Sequence, residues 1–290
     1  RQMCIRDRFK EAENSWYLIG WEAFPTKGWG GINPTQSLVD AFEDIEVKAN
    51  AIELLEHSLS HKRKKCMIGT GSMTDPYIPL ETEIQNVRKA LQLIDKYGFG
   101  FTVITKSNRI LRDLDLLQKI NEKTKCVVQM TLTTYDEDLC RKIEPNVSTT
   151  AERFEVLKTL RDAGIPTVVW LSPILPFIND NEENLVGILN ICIEAKVRGI
   201  ICFGMGVTLR EGNREYFYEQ LDRSFPGVKE KYVHTYGYQY MLDSPHNGYL
   251  MQIFHDTCEK HGIMHDNEQI FAYLSAFEEK ENFKQLSLWD

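Results

Sequence analysis

No two of the seven cysteines form a C-x2-C or C-x3-C pair, so the close spacings of common metal loops are missing from this 290-residue chain. There is no run of about eighteen apolar residues, so no helix is expected to span a membrane and no membrane partner is expected. Positive charge is in deficit: the formal net charge is -8, which excludes whole-surface attraction to nucleic acid but leaves room for a local basic groove. There is no repeat at a solenoid period and no low-complexity tract. The opening RQMCIRDRFK is too polar for a secretory h-region and too short for a transit peptide. Cys66, Cys126, Cys192 and Cys202 lie within or beside apolar runs, where a free thiol acts as a small hydrophobe. An odd cysteine count without close pairs predicts a reducing compartment, hence the cytoplasm.

What is present is regular. Hydrophobic residues make up 42% of the chain and charged residues 26%, enough for one α/β barrel or two smaller domains. KCMIGTG (65–71), GFTVITK (100–106), CVVQMTLTT (126–134), PTVVWLSPIL (166–175) and GIICFGM (199–205) read as five buried strands. Between them, 79–98, 108–123, 148–164 and 183–197 read as helices. In the first, Ile84, Val87, Ala90, Leu91 and Ile94 recur at helical spacing and Gly98 is the stop. Asn108 is the predicted cap of the second. Continuously apolar strands alternating with helices are the mark of a parallel sheet. Polar residues follow each strand, namely Ser72, Thr74 and Asp75, then Lys106, then Thr131 and Thr133, then Ser172. Barrels keep their chemistry at that end, so a partial or full β/α barrel is expected over a doubly wound sheet. Beyond residue 212 the chain is helical and aromatic, a predicted wrapping segment.

Lys106 closes the apolar strand FTVIT. It either snorkels to solvent, or clamps a carboxylate or phosphate, or serves as a Schiff-base amine. In GTGSMTDPYIPLE (69–81), small residues would let backbone N–H groups approach a ligand, while Asp75 is equally a cap of the next helix. His261 and His265 are four apart, but Gly262 lies between them, and His246 stands alone, so no metal site is assigned there.

The blocks GTGSMTDPYIPLE, VITKSNRILRDLDLL, MTLTTYDEDLCRKIEP and GIPTVVWLSPILPFIND, in that order, resemble the spore-photolyase-like radical S-adenosylmethionine (SAM) proteins, many of them labelled DNA repair photolyases. The resemblance covers about residues 42 to 275. It implies a partial TIM-type (β/α)6 barrel with a C-terminal helical segment, a [4Fe-4S] cluster, and SAM cleaved reductively to a 5′-deoxyadenosyl radical, with nucleic acid as a possible substrate class. It further implies that Lys106 pairs with the SAM carboxylate, that Thr131 or Thr133 binds its amino acid or ribose groups, and that Thr74 and Asp75 line the mouth near it.

Two departures stand out. In spore photolyase a cysteine three residues before the aspartate returns hydrogen to the repaired thymine, whereas Ser72 occupies the matching position. A hydroxyl is a far poorer hydrogen-atom donor, so repair of that lesion is not expected. The family's C-x3-C-x2-C loop is also missing; GWGGINPTQSLVD (28–40) stands where it belongs. No metal ligand is therefore assigned, and this copy is expected to be inactive.

The front end has its own reading. One frame of the standard transposase sequencing adaptor translates to Arg-Gln-Arg-Gln-Met-Cys-Ile-Arg-Asp, and RQMCIRDR (1–8) matches from its second arginine. Residues 1–8 are expected to be an artefact, which removes Cys4 as a ligand. Residues 9–41 form an atypical aromatic-glycine segment, either misassembled or a packed extension; 42–210 form the barrel and 211–290 the helical segment and tail. The tail QLSLWD (285–290) resembles the peptide that docks bacterial proteins on the DNA sliding clamp, through Gln285, Leu286, Leu288 and Trp289. Three functions follow in order: a radical SAM enzyme damaged at its front, a metal-independent Schiff-base lyase using Lys106, and a non-catalytic DNA-maintenance adaptor docking through QLSLWD.

Overall fold

The computed structural model describes residues 17–18, 24–25, 45–47, 49–72, 75–209 and 213–280. Its centre is a six-stranded parallel sheet made of β1 (Tyr17–Leu18), β4 (Met67–Thr70), β5 (Gly100–Thr105), β6 (Cys126–Thr131), β7 (Thr167–Trp170) and β8 (Gly199–Ile201). A two-residue pair, β2 (Phe24–Pro25) with β3 (Ile45–Glu46), lies apart from it. The strands of the main sheet stand in chain order, each added beside the last. Right-handed crossovers then put every connecting helix on one face and leave the other concave. That order selects a partial barrel over a doubly wound sheet, which reverses direction midway. The sixth strand is β1, parallel to β4 with Tyr17 opposite Ile68; it falls in the segment whose sequence shows no strand period.

The outer layer consists of α1 (Ala51–His61), α3 (Asn86–Tyr97), α4 (Leu114–Lys123), α6 (Thr150–Asp162) and α7 (Glu182–Glu194), with short α2 (Glu81–Ile84) and α5 (Glu137–Ile143) between them. Ile68, Phe101, Val103, Val128, Met130, Val169 and Ile200 pack outward against Leu91, Ile94, Leu117, Leu157 and Ile188 in one continuous core. Two helices start later than their sequences suggest. Gln85, at φ 52°, breaks the first into α2 and α3, and Asn108–Asp113 is a 3-10 turn capped by Ser107 rather than Asn108. Elsewhere the caps follow the sequence: Thr149 and Glu152 form a capping box at α6, and Gly98 ends α3 at φ 66°.

The concave face is closed from below by the chain's own C-terminal part. After β8 come the hairpin β9 (Gly206–Thr208) with β10 (Met241–Asp243) and, within it, α8 (Asn213–Ser224) and α9 (Val228–Tyr236), built on a small core of Leu209, Leu221, Tyr232, Tyr236 and Leu242. Then α10 (Asn247–His261) joins the outer core through Leu250, Phe254 and Cys258, and α11 (Asn267–Ser275) turns inward. Ile270 and Leu274 of α11 pack on Val127, Val168 and Ile201, the inward side chains of three strands. Each is fully buried and contributes about 1.5–3 kcal/mol. No described helix is long and apolar enough to cross a membrane.

Candidate active site

The strands end at a common level. In register, Thr131 of β6 lies opposite Trp170 of β7, and Trp170 opposite Ile201 of β8. Thr105 lies opposite Met130, so Lys106 falls beside Thr131. Side chains alternate along a strand, and a buried chain of hydrogen bonds shows which set points inward. Gln129 Nε2 donates to Thr102 Oγ1 at 2.7 Å, and Trp170 Nε1 donates to Gln129 Oε1 at 2.8 Å. Lys106 shares the parity of Thr102, and Thr131 that of Gln129. One rung across the concave mouth therefore carries an ammonium, a hydroxyl and an indole. The Thr131 hydroxyl has no side-chain partner among the described residues. Beyond the indole, Phe203 is 65% exposed, with its ring 6.2 Å from Trp170 and 6.3 Å from Phe271.

The Lys106 ammonium is ion-paired with Glu144 Oε1. Glu144 follows α5, and its other oxygen accepts from Thr133 Oγ1 at 3.1 Å and from Arg153 Nη2 at 2.8 Å. Arg153 is fully buried, and also donates to the carbonyls of Ser148 at 2.8 Å and Thr131 at 3.0 Å. Burial alone pushes the Glu144 carboxyl up, but the charges and hydrogen bonds of Lys106 and Arg153 together outweigh it and hold the carboxyl below the usual glutamate value.

Asp75 is placed differently from a helix cap. Its carboxylate accepts from Thr105 Oγ1 at 2.8 Å and from the Lys106 backbone N–H at 2.7 Å, and it closes a turn on the Tyr77 N–H at 2.9 Å. It thus fastens the loop after β4 to the end of β5. Ser72 stands exposed on that loop, and Thr74 lies outside the described residues. The structure brings Lys106, Thr133 and Asp75 into one network with Thr131 alongside. His265 Nδ1 sits 3.1 Å from the Ile263 carbonyl, its ring 5.2 Å from that of His255, and His261 ends α10; His246 precedes that helix.

Glu144 and Arg153 are the two site residues that sequence reasoning missed. Arg153 left a readable trace: on α6 it lies three and four residues before Val156 and Leu157, on the buried face, where a charge needs a partner. Glu144 left none, since an acid just after a helix whose last turn carries Arg141 and Lys142 resembles a solvated terminus.

Comparison with known proteins decides the family. The model of the Radical SAM superfamily matches residues 40–190. The chain belongs to the Radical SAM superfamily. An uncharacterized protein of Mycobacterium tuberculosis is 28% identical over 217 residues, 74% of this chain and 62% of that protein. An uncharacterized protein of Methanocaldococcus jannaschii is 33% identical over 138 residues, 48% of this chain and 50% of that protein. A mutant of spore photoproduct lyase, with bound AdoMet and dinucleoside spore photoproduct, has a TM-score of 0.52 at 13% identity, over 75% of this chain and 64% of that chain. This last likeness shows the fold. The chain thus spans somewhat less than two thirds of these proteins' lengths.

The superfamily's cofactors are SAM and a [4Fe-4S] cluster. The rung carries donors of the kind that the amino-acid end of SAM needs, an ammonium for a carboxylate and a hydroxyl with no side-chain partner among the described residues. The described cysteines do not fit a cluster. Burial pushes the Cys66, Cys126, Cys192 and Cys202 thiols up, and that of Cys258 up to about 12, whereas iron binds thiolates. Among the described residues no three His, Cys, Asp or Glu side chains converge as metal ligands. Cys4, residues 28–40 and the tail 285–290 lie outside the described residues.

Proposed function

We propose that this radical SAM chain binds SAM across the strand ends, with Lys106 on the carboxylate and Thr131 on an amino-acid or ribose group, and that, without a C-x3-C-x2-C loop, it does not cleave SAM. The observation that carries the reading is the Lys106 ammonium, held beside Thr131 at the concave mouth by a fixed carboxylate. A lysine in an ion pair is a carboxylate clamp rather than the free amine that a Schiff base needs, which favours SAM binding over the lyase reading. Thr133 is spent on Glu144, which leaves Thr131 as the hydroxyl for the ligand. Asp75 shapes the mouth by tying down the neighbouring loop. Reductive cleavage is the chemistry the cluster would supply when bound, and the sequence offers no C-x3-C-x2-C loop of thiolates to hold it. Substitution of Lys106 by alanine should weaken SAM binding at least tenfold by isothermal titration calorimetry. Anaerobic treatment with iron and sulfide should leave no cluster absorption. Unaltered SAM affinity in K106A, or a stable cluster in the wild type, overturns the reading.

The exposed Phe203 beside Trp170 would stack a planar base, which supports nucleic acid as the substrate class. With Ser72 in place of a thiol, repair of the spore lesion is not expected. A second reading concerns partners. Lys125 Nζ binds the Tyr273 carbonyl at 2.7 Å and Glu278 at 2.6 Å, and the Lys280 N–H binds the Lys123 carbonyl at 2.9 Å. The chain at 276–280 is thereby fixed at the N-terminal ends of the strands, away from Lys106. That anchorage supports a role for QLSLWD (285–290) as a sliding-clamp contact. Deleting residues 285–290 should abolish clamp pull-down, and retained pull-down would exclude the tail as the contact.

A further inference from the structure

The Lys106 pair contains more charge than a carboxylate clamp needs, and the surplus is ordered. We infer that Glu144 and Arg153 are positioning residues for Lys106. Glu144 fixes the ammonium over the mouth, and Arg153, buried behind it, offsets the charge of Glu144 so that Lys106 still presents a net positive charge to the ligand. This rests on the proposed SAM site and assigns the two residues that build it.

A lysine side chain is long and rotamer-rich, and an unheld one gives up that freedom whenever it grips a ligand. Here Lys106 keeps about a third of its side-chain surface exposed (32%) while Glu144 keeps only 11%, so the ammonium faces outward and its anchor does not. An ammonium has three N–H donors, of which the contact with Glu144 takes one. Two remain for a ligand carboxylate. Glu144 therefore orients Lys106 without filling its donor set.

Orientation by a carboxylate has a drawback. Lys106 with Glu144 alone would be a neutral pair, and an arriving anion would meet repulsion from Glu144 nearly as strong as attraction by Lys106. Arg153 removes that drawback. Its Nη2 lies 2.8 Å from Glu144 Oε2, and the residue is fully buried, so it cannot itself reach a ligand at the mouth. Within this triad Lys106 and Arg153 carry two positive charges and Glu144 one negative, so Arg153 offsets Glu144 and the remaining positive charge lies on Lys106, its most exposed member, while the Asp75 carboxylate sits on the Lys106 backbone N–H rather than on the ammonium. The Thr133 hydroxyl and the Ser148 and Thr131 carbonyls fix the two buried members in place.

A ligand pair separates this role from simple support of the fold. SAM carries a carboxylate, whereas 5′-methylthioadenosine shares its adenosine but has no amino-acid group. In titrations of the full chain, Glu144→Gln should weaken SAM about tenfold and leave 5′-methylthioadenosine unchanged. Glu144→Asp keeps the charge facing Arg153 but draws the carboxylate back from Lys106. It should fall between, again for SAM only, and it decides the matter if Glu144→Gln does not fold. Equal weakening of both ligands would show a structural role and overturn the inference, as would unchanged or tighter SAM binding. If Lys106→Ala lowers SAM affinity while both Glu144 variants do not, the positioning role alone falls. If Lys106→Ala has no effect, the SAM site falls with it.

Discussion

Alanine at position 71 should cost the protein about 2–5 kcal/mol and take the proposed SAM site with it. Gly71 follows β4 at φ +90°, a backbone conformation that side-chain-bearing residues rarely adopt. A Cβ there would sit 2.1 Å from the Ile104 carbonyl oxygen and 2.8 Å from the Ile104 nitrogen. Both are backbone atoms in the middle of a parallel ladder, so no side chain can swing away to make room. Either β5 shifts or the loop after β4 lifts. Each outcome disturbs the same place, because Ile104 is two residues before Lys106 and the loop carries Asp75, whose carboxylate holds the Lys106 N–H. Urea denaturation should show the midpoint lowered with little change in slope. SAM affinity should drop even where the variant is still folded. Wild-type stability in G71A would mean that the strand ends are less tightly joined than this contact requires.

The barrel was legible because its signal is redundant. Five apolar runs, with a helical period between each and the next, admit few arrangements once connections are short and right-handed. Chain-order pairing of β4 to β8 then follows, and Lys106, Thr131 and Thr133 are visible as polar residues standing where apolar strands stop. What the sequence hid are contacts between distant segments. Glu144 meets Lys106 across 38 residues, and nothing local distinguishes it from Glu137 at the other end of the same helix. The inward polar chain was hidden for another reason. Thr102 and Gln129 sit inside strands whose two faces are both buried, so no alternation of apolar and polar residues marks the concave side. The three-residue strands β9 and β10 are too short for any period, and β1 shorter still. The break at Gln85 carries no glycine to announce its positive φ. The plugging role of α11 is a tertiary fact, since its period reports a buried stripe but not what the stripe covers.

The second large effect belongs to Asp113, which is fully buried yet carries the charge that holds the site's flank together. Its carboxylate accepts from Arg88 Nη1 at 2.9 Å, from Arg112 Nη2 at 2.7 Å and Nε at 3.1 Å, and from the Tyr77 hydroxyl at 3.3 Å. Removing one member of a buried ion pair costs about 3–5 kcal/mol, because the partner's charge is left without compensation. For Asp113→Ala the lower end of that range applies. Arg88 keeps two bonds to Asp115, each at 3.0 Å, and Arg112 keeps Glu81 Oε1 at 2.9 Å. The Tyr77 hydroxyl has no such substitute, and an unsatisfied buried polar group costs about 1–3 kcal/mol. Stability should therefore fall by about 3 kcal/mol in denaturant titrations. Asp113→Asn should lose less, since an amide still accepts from Tyr77 and one arginine. The change should also propagate along a physical connection. Tyr77 is two residues from Asp75, and Asp75 holds the Lys106 amide. With Tyr77 released, hydrogen exchange at the Lys106 N–H should accelerate more than at the Val128 N–H, which the neighbouring strand pairs independently. Equal acceleration at both amides would mean that Asp113 supports the barrel as a whole and not the lysine in particular.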